Sequence, residues 1–178
     1  MLIIALVGKS GSGKSTIEKE LCDRFRWHKI VSTTTRKMRD GEVDHQDYHF
    51  VDNFDTESMM EHAVYNGNDY GIAKNEIKDG VNVMVVEPNG YEQIKEIYGD
   101  SVKGFYIETD EVQRVFRMVT RELNSVDLKY VLLEIMRRYW TDEIDFMDIK
   151  KELVRIDNNY SIENAIDNIV SEVYNEQN

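Results

Sequence analysis

Apolar positions along the chain follow two rhythms. Short continuous runs rich in β-branched and aromatic residues fall at 2–7, 29–32, 81–86, 102–108 and 153–157, each the length of a buried strand. Between them the period lengthens to that of amphipathic helices, as where Ile17, Leu21 and Phe25 recur every four residues. Strands alternating with helices predict parallel pairing through right-handed crossovers, and so an α/β fold of three layers around a parallel sheet. Two stretches break the rhythm. Residues 33–75 hold a charged turn at Arg39-Asp40-Gly41-Glu42, a short strand near 48–51 and a helix expected over 56–66. Residues 111–147 read as two long helices with a break near Asn124-Ser125. Neither stretch supplies an evident strand for the main sheet, so both are expected as lobes inserted into one domain.

Composition narrows the partners. A chain of 178 residues holds one well-buried α/β domain rather than two. Its net charge of −12 leaves no basic face for nucleic acid, although a few converging arginines can still make a positive pocket. The single cysteine, Cys22, has no partner within the chain and fits a reducing compartment. No apolar run reaches membrane-spanning length and no signal peptide opens the sequence, so a soluble cytoplasmic protein is expected.

The most specific motif follows the first strand. Gly8-Lys9-Ser10-Gly11-Ser12-Gly13-Lys14-Ser15 fits G-x-x-x-x-G-K-[ST], and Thr16 continues it into a helical pattern. Glycines let the backbone curl so that its N–H groups cup a polyphosphate. Lys14 would reach the outer phosphates and the Ser15 hydroxyl would sit on Mg²⁺. The helix that follows adds a dipole favouring an anion. ATP with Mg²⁺ is the expected ligand.

A second cluster runs Ser32-Thr33-Thr34-Thr35-Arg36-Lys37-Met38-Arg39-Asp40-Gly41-Glu42, followed by Asp47-Tyr48-His49-Phe50. Two arginines three residues apart, flanked by Ser32 and Tyr48, can clamp a phosphate through their planar forks. The same residues also suit a charged loop in which Arg36 and Arg39 pair with Glu42, Asp44 or Asp47.

These strings together resemble the guanylate kinase family. Residues 32–42 and 47–50 are similar to that family's S-x-T-T-R-x-x-R-x-G-E and D-Y-x-F. The phosphate loop looks like the family's, and Glu61 followed by Gly67-Asn68-Asp69-Tyr70-Gly71 resembles its E-x-A-x-x-x-G-N-x-Y-G. The resemblance implies a phosphate-loop core (1–31, 76–110, 148–178), a monophosphate-binding lobe (32–75) and a helical lid (111–147). It implies that Ser32, Arg36, Arg39, Tyr48 and Tyr70 hold the acceptor's phosphate and that Glu61 reads the guanine edge. Arg117, Arg121 and Arg138 resemble the lid arginines, with Arg137 beside them, and Asn158 the strand end that borders adenine. The sequence departs from the family at Ile72, where a hydroxyl residue is usual. In the D-x-D-x-x-G string the first acid is lost to Val85 and the second is lengthened to Glu87. The implied activity is an ATP-dependent kinase of GMP or dGMP, acting as a monomer or homodimer. A kinase of another nucleoside monophosphate or a phosphorylated sugar, and a non-catalytic binding module, remain as alternatives. A GTPase is disfavoured because no N-K-x-D-like motif follows the central strands.

Other features read as structural. The four histidines show no metal-like pairing. Met59-Met60, Val131, Leu132, Ile135 and Met136 are expected to pack helices. The acid-rich run 142–148 reads as a solvated face, and Asp110-Glu111 as a helix start.

Overall fold

The computed structural model describes residues 1–38, 41–65, 67–121, 128–147, 149 and 153–175. Its centre is β1 (Leu2–Val7), an apolar run flanked on both sides and covered on both faces. β1 pairs in parallel with β7 (Val81–Val85) and β8 (Val102–Glu108). β2 (His28–Lys29) and β9 (Val154–Asp157) extend the sheet in the order β2-β7-β1-β8-β9. Ile4 and Leu6 point to the face covered by α1 (Lys14–Phe25) and α5 (Ile162–Asn175), where Ile17, Leu21, Ala165, Ile166 and Ile169 meet them. Ile3, Ala5 and Val7 point to the opposite face, packed by Tyr91 and Ile94 of α2 (Pro88–Tyr98) and by Phe146, Ile149 and Leu153. Each such fully buried side chain contributes about 1.5–3 kcal/mol. The three-layer α/β expectation therefore holds.

The expected strand at 29–32 is divided between two sheets. Ile30 still donates its N–H to Val83 O at 2.8 Å, and the chain then leaves the main sheet to form β3 (Thr33–Thr34). With β4 (His49–Phe50), β5 (Met59–Tyr65) and β6 (Asn68–Ala73) it builds a second sheet, ordered β4-β3-β6-β5. Thr34 locks the junction, since its fully buried hydroxyl donates to Asp69 O at 2.8 Å and accepts from the Arg36 N–H at 3.1 Å.

The helix expected over 56–66 is not formed. Thr56–Ser58 makes a single 3₁₀ turn, capped by Asp55, and the chain continues as β5 antiparallel to β6. Gly67, at φ 72°, adopts the left-handed backbone that a tight hairpin requires. A bulge between Met59 and Glu61 interrupts the alternation. Met60 can thus join Ile72 and Met84 in the core while Glu61, next along the chain, is also buried. Met59-Met60 is therefore strand, not helix, packing.

α3 (Glu111–Arg121) and α4 (Leu128–Asp145) pack through Met118, Val131 and Ile135, joined by Val115 and Val119. Asp110 caps α3 by accepting the Val112 N–H at 2.9 Å. The expected break at Asn124-Ser125 lies outside the described residues. Leu132 and Met136 do not pack as expected. They lie exposed on the outer side of α4 with Leu133, Trp140 and Ile144, because the opposite side already meets α3. No described helix is long and apolar enough to cross a membrane.

Gly104 sets the spacing between β8 and α2. A Cβ there would stand 2.3 Å from Leu153 Cδ2 and 2.5 Å from Tyr91 Cε2. Gly104→Ala is expected to lower stability by about 2–3 kcal/mol, read as an earlier midpoint in urea denaturation; an unchanged midpoint would contradict this packing.

Candidate active site

The loop between β1 and α1 is shaped by where its carbonyls go. Lys14 Nζ donates to Gly8 O and, at 3.4 Å, to Lys9 O. Arg114 donates to Ser10 O at 3.4 Å, and Arg117 reaches Gly11 O at 3.3 Å. Ser12 O accepts from Asn158 Nδ2 at 2.7 Å and from the Thr109 hydroxyl at 3.0 Å. With these carbonyls occupied, the N–H groups of Gly11, Gly13, Lys14 and Ser15 are left to face an anion, while those of Ser12 and Thr16 donate at 3.1 Å to Lys9 O and Gly13 O. Gly11 and Gly13, at φ 77° and 97°, allow the curl, and neither has room for a Cβ. One would lie 2.5 Å from Arg114 O and the other 2.5 Å from Asn158 Nδ2. Ser12 Oγ is buried with no hydrogen-bond partner among the described residues.

A cleft of about 730 Å³ opens beside this loop. Ser10, Lys14 and Ser15 line it from the loop side, and Ser32, Arg36, Tyr48, Glu61 and Tyr70 from the second sheet. Val85, Glu87 and Gly90 form its floor, and Arg121, Glu134, Arg137 and Arg138 approach from α3 and α4. Residues as far apart in sequence as Ser10 and Arg138 thus share one water-accessible space. Arg39 lies outside the described residues. Gly8, Gly11, Ser12, Gly13, Thr16, Arg117 and Asn158 do not line this cleft, and among them Arg117 and Asn158 brace the loop from behind.

Within the cleft, Arg36 forms a two-pronged pair with Glu42, at 3.0 and 2.8 Å, and its guanidinium stacks 5.2 Å from the Tyr48 ring centre. This pairing with Glu42 is the charged-loop arrangement, and it coexists with exposure of Arg36 to the cleft. Burial works against the Arg36 charge, but Glu42 outweighs it and holds the guanidinium protonated. Tyr48 meets Tyr70 edge-on at 6.0 Å, and burial raises its phenol to about 12, so it donates a proton in hydrogen bonds rather than ionising. Glu61, 7% exposed, is pushed up to about 7 by burial, countered by His62 and reinforced by Glu87. Glu87 is exposed to the cleft, and the protein walls around it raise its carboxyl too, against the pull of Lys14. Arg138 donates to Glu134 at 3.1 Å, and Arg137 pairs with the same carboxylate.

Some residues at the site are not singled out by the sequence. Ala63 and Asn68, inside the string that runs from Glu61 to Gly71, line the cleft from β5 and β6. Ile72 does not; it is fully buried against Met60 and Met84. The run 142–148 is not a uniformly solvated face, because Asp142 is 3% exposed and accepts the Ser10 N–H at 2.8 Å. Beside it, Glu143 pairs with Lys9, and Arg114 lies 3.7 Å from Asp142 and 3.5 Å from Glu143. No sequence spacing announces this cluster, since its members lie more than a hundred residues from the loop they hold.

A glycine-rich loop between a central parallel strand and a helix, opening on a polar cleft, defines a P-loop nucleotide-binding fold. Comparison with known proteins narrows this class. The guanylate kinase family model matches residues 1–138. The guanylate kinase of Lactiplantibacillus plantarum is 37% identical over 142 residues, covering 71% of this chain and 68% of that protein. That of Lactobacillus johnsonii is 30% identical over 183 residues, covering 96% and 86%. The crystal structure of guanylate kinase from Anaplasma phagocytophilum superposes with a TM-score of 0.72 at 23% identity, over 99% of this chain and 86% of that one. The chain belongs to the guanylate kinase family.

Burial of Glu61 has a consequence for stability. Unfolding returns its carboxyl to its ordinary value near 4.5. Between there and about 7 the unfolded chain ionises while the folded chain stays protonated, so stability falls as pH rises through this window and levels off above it. Glu61→Gln removes this part of the decline, and its melting temperature relative to wild type is expected to improve by about 3 °C from pH 5 to pH 8. Parallel melting curves across the window would contradict the burial.

Proposed function

We propose that this protein is an ATP-dependent nucleoside monophosphate kinase transferring the γ-phosphoryl of ATP to GMP or dGMP. The observation that carries this reading is the shared cleft, which unites the phosphate loop's Lys14 and Ser15 with Arg36, Tyr48, Tyr70 and Glu61 of the second sheet. Family membership supports the reaction class. In this reading residues 32–75 are the monophosphate lobe, 111–147 the lid, and the remainder the core.

The triphosphate rests on the backbone of Gly8, Ser10, Gly11, Ser12, Gly13, Lys14, Ser15 and Thr16, with adenine beside Asn158. Ser32, Arg36, Arg39, Tyr48 and Tyr70 hold the acceptor's phosphate so that one of its oxygens attacks the γ-phosphorus in line as the bond to the β-phosphate breaks. Lys14 and the arginines Arg121 and Arg138 counter the charge spread over the transferring group, Arg117 keeps to Gly11 O and Ser12 O behind the loop, and lid closure excludes water. Arg138 must turn from Glu134 to do so.

Among the described residues no three His, Cys, Asp or Glu side chains are arranged to hold a metal. The oxygen donors in the cleft, the Ser15 hydroxyl and Glu87 carboxylate, suit a magnesium ion held chiefly by substrate phosphates and water. When bound, Mg²⁺ supplies charge neutralisation across the β- and γ-phosphates. Ser15 would hold it, and Glu87 faces the acceptor from the floor.

Guanine presents two adjacent N–H donors to a carboxylate, and Glu61 is the buried carboxylate in the acceptor half of the cleft. A second reading, another monophosphate or a phosphorylated sugar as acceptor, is favoured by Ile72, which offers no hydroxyl to a base. An ADP-release assay with ATP and Mg²⁺ against GMP, dGMP, AMP, dAMP, CMP, dCMP, UMP and dTMP separates the two. Turnover is expected for GMP and dGMP alone; a peak elsewhere would favour the second reading. Lys14→Ala should cut kcat by about 10²–10³ while leaving acceptor affinity near wild type, and an undiminished kcat would remove Lys14 from the reaction.

Only ionised Glu61 accepts both guanine N–H bonds. With its carboxyl near 7 in the empty site, the KM for GMP should fall as pH rises from 6 to 8. That fall should vanish in Glu61→Gln; a KM of equal pH dependence in both proteins would take base reading away from Glu61.

A further inference from the structure

We infer that Asp142 is a latch, a carboxylate that holds α4 against the nucleotide-free phosphate loop and is displaced by the terminal phosphoryl of an arriving triphosphate. The inference rests on the proposed binding of ATP to this loop. Asp142 Oδ2 accepts the Ser10 N–H at 2.8 Å, and Oδ1 accepts from the Ser10 hydroxyl at 3.3 Å. An anionic oxygen on a backbone N–H and a neighbouring hydroxyl is what a phosphoryl group presents to such a loop. Asp142 is therefore a substitute ligand supplied by the chain itself.

Its surroundings make it a competitor rather than a bystander. The charged groups acting on it are Arg114, with its guanidinium 3.7 Å away, and Lys14, while Glu143 follows it in the chain. Ser10 and Lys14 line the cleft and Asp142 does not, so a phosphoryl that reaches Lys14 and turns to the Ser10 N–H finds that donor taken by Asp142. Two anions cannot share one set of donors, and with the phosphate in place the carboxylate is repelled. The state with Asp142 on Ser10 and the state with triphosphate on the loop are thus mutually exclusive, and each disfavours the other.

Release has a mechanical result. Asp142 stands one helical turn beyond Arg138 on the same side of α4. Freeing it frees the segment that carries Arg138 and Glu134 into the cleft. The Glu143 contacts to Lys9 and Arg114 form a second tie that uses side chains instead of loop N–H groups, so α4 stays attached while its grip on Ser10 opens. Asp142 touches no reacting atom; it acts by positioning α4 and by occupying Ser10.

The terminal phosphoryl separates this role from a merely structural one. Affinities of ATP and ADP, measured by titration calorimetry with excess Mg²⁺ and no acceptor, are to be compared in wild type, Asp142→Asn and Asp142→Ala. The asparagine variant keeps the volume and an acceptor for Ser10, and so covers the case in which the alanine variant does not fold. ATP is expected to bind roughly tenfold more tightly to the variants, with ADP changed by less than about twofold, because ADP lacks the group that competes. Unchanged or weaker ATP binding in a folded variant, or equal changes for ATP and ADP, would overturn the latch alone. Failure of wild type to bind either nucleotide would bring down the phosphate-loop reading and the latch with it.

Discussion

A backbone can offer N–H groups to an anion only if its carbonyls are held elsewhere. In this protein every carbonyl from Gly8 to Ser12 has a donor: Lys14, which lines the cleft, serves Gly8 O and Lys9 O, and α3 with the ends of β8 and β9 serves the rest from behind the loop. The fold around the loop is arranged to supply them. Parallel pairing of β8 with β1 brings Thr109 and α3 to the loop, and β9 beside β8 brings Asn158. Buried Arg114 links the two systems, since it holds Ser10 O on one side and approaches Asp142 and Glu143 of α4 on the other.

The second constraint is the passage of the chain from one sheet to the other at Val31 and Ser32. Ile30 is still bonded to β7, whereas Thr33 already pairs with β4 and β6. That short crossing faces Ser32 and Arg36 toward the phosphate loop with little intervening chain. Acidity is no obstacle. The net charge of −12 is an average over the whole chain, and the cleft gathers Lys14, Lys37 and the arginines of three elements. Removal from bulk water then raises the Glu61 carboxyl to about 7 and the Glu87 carboxyl above its ordinary value.

Much of this was legible in the residues. Apolar-rich runs marked β1, β7, β8 and β9 to within a residue or so, because most positions of β1, β7 and β8 are buried and the few polar ones, such as Asn82 and Lys103, do not break the run. The phosphate loop was legible because its glycines and lysine are required locally. Residues 59–65 were misread as helix, since the bulge at Met59 breaks the strand period and its stability comes from pairing with β6. Asp142 was misread as solvated for a related reason. Its partner is Ser10, 132 residues away, and an acidic run has the same composition whether it faces water or a backbone amide.

The sequence by itself therefore determined the layered α/β core, the glycine-rich loop after β1 and the cluster of arginines and hydroxyls that follows Ser32. All of these depend on short-range requirements: burial of a strand, curvature of a loop, the charge of a side chain. Tertiary structure alone decided which residues share the cleft, that Ile72 lies in the core, that Arg117 and Asn158 brace the loop, and that α4 is fastened to Ser10. Those outcomes depend on long-range pairing and on which of several possible partners each charge meets, and neither is encoded by spacing along the chain.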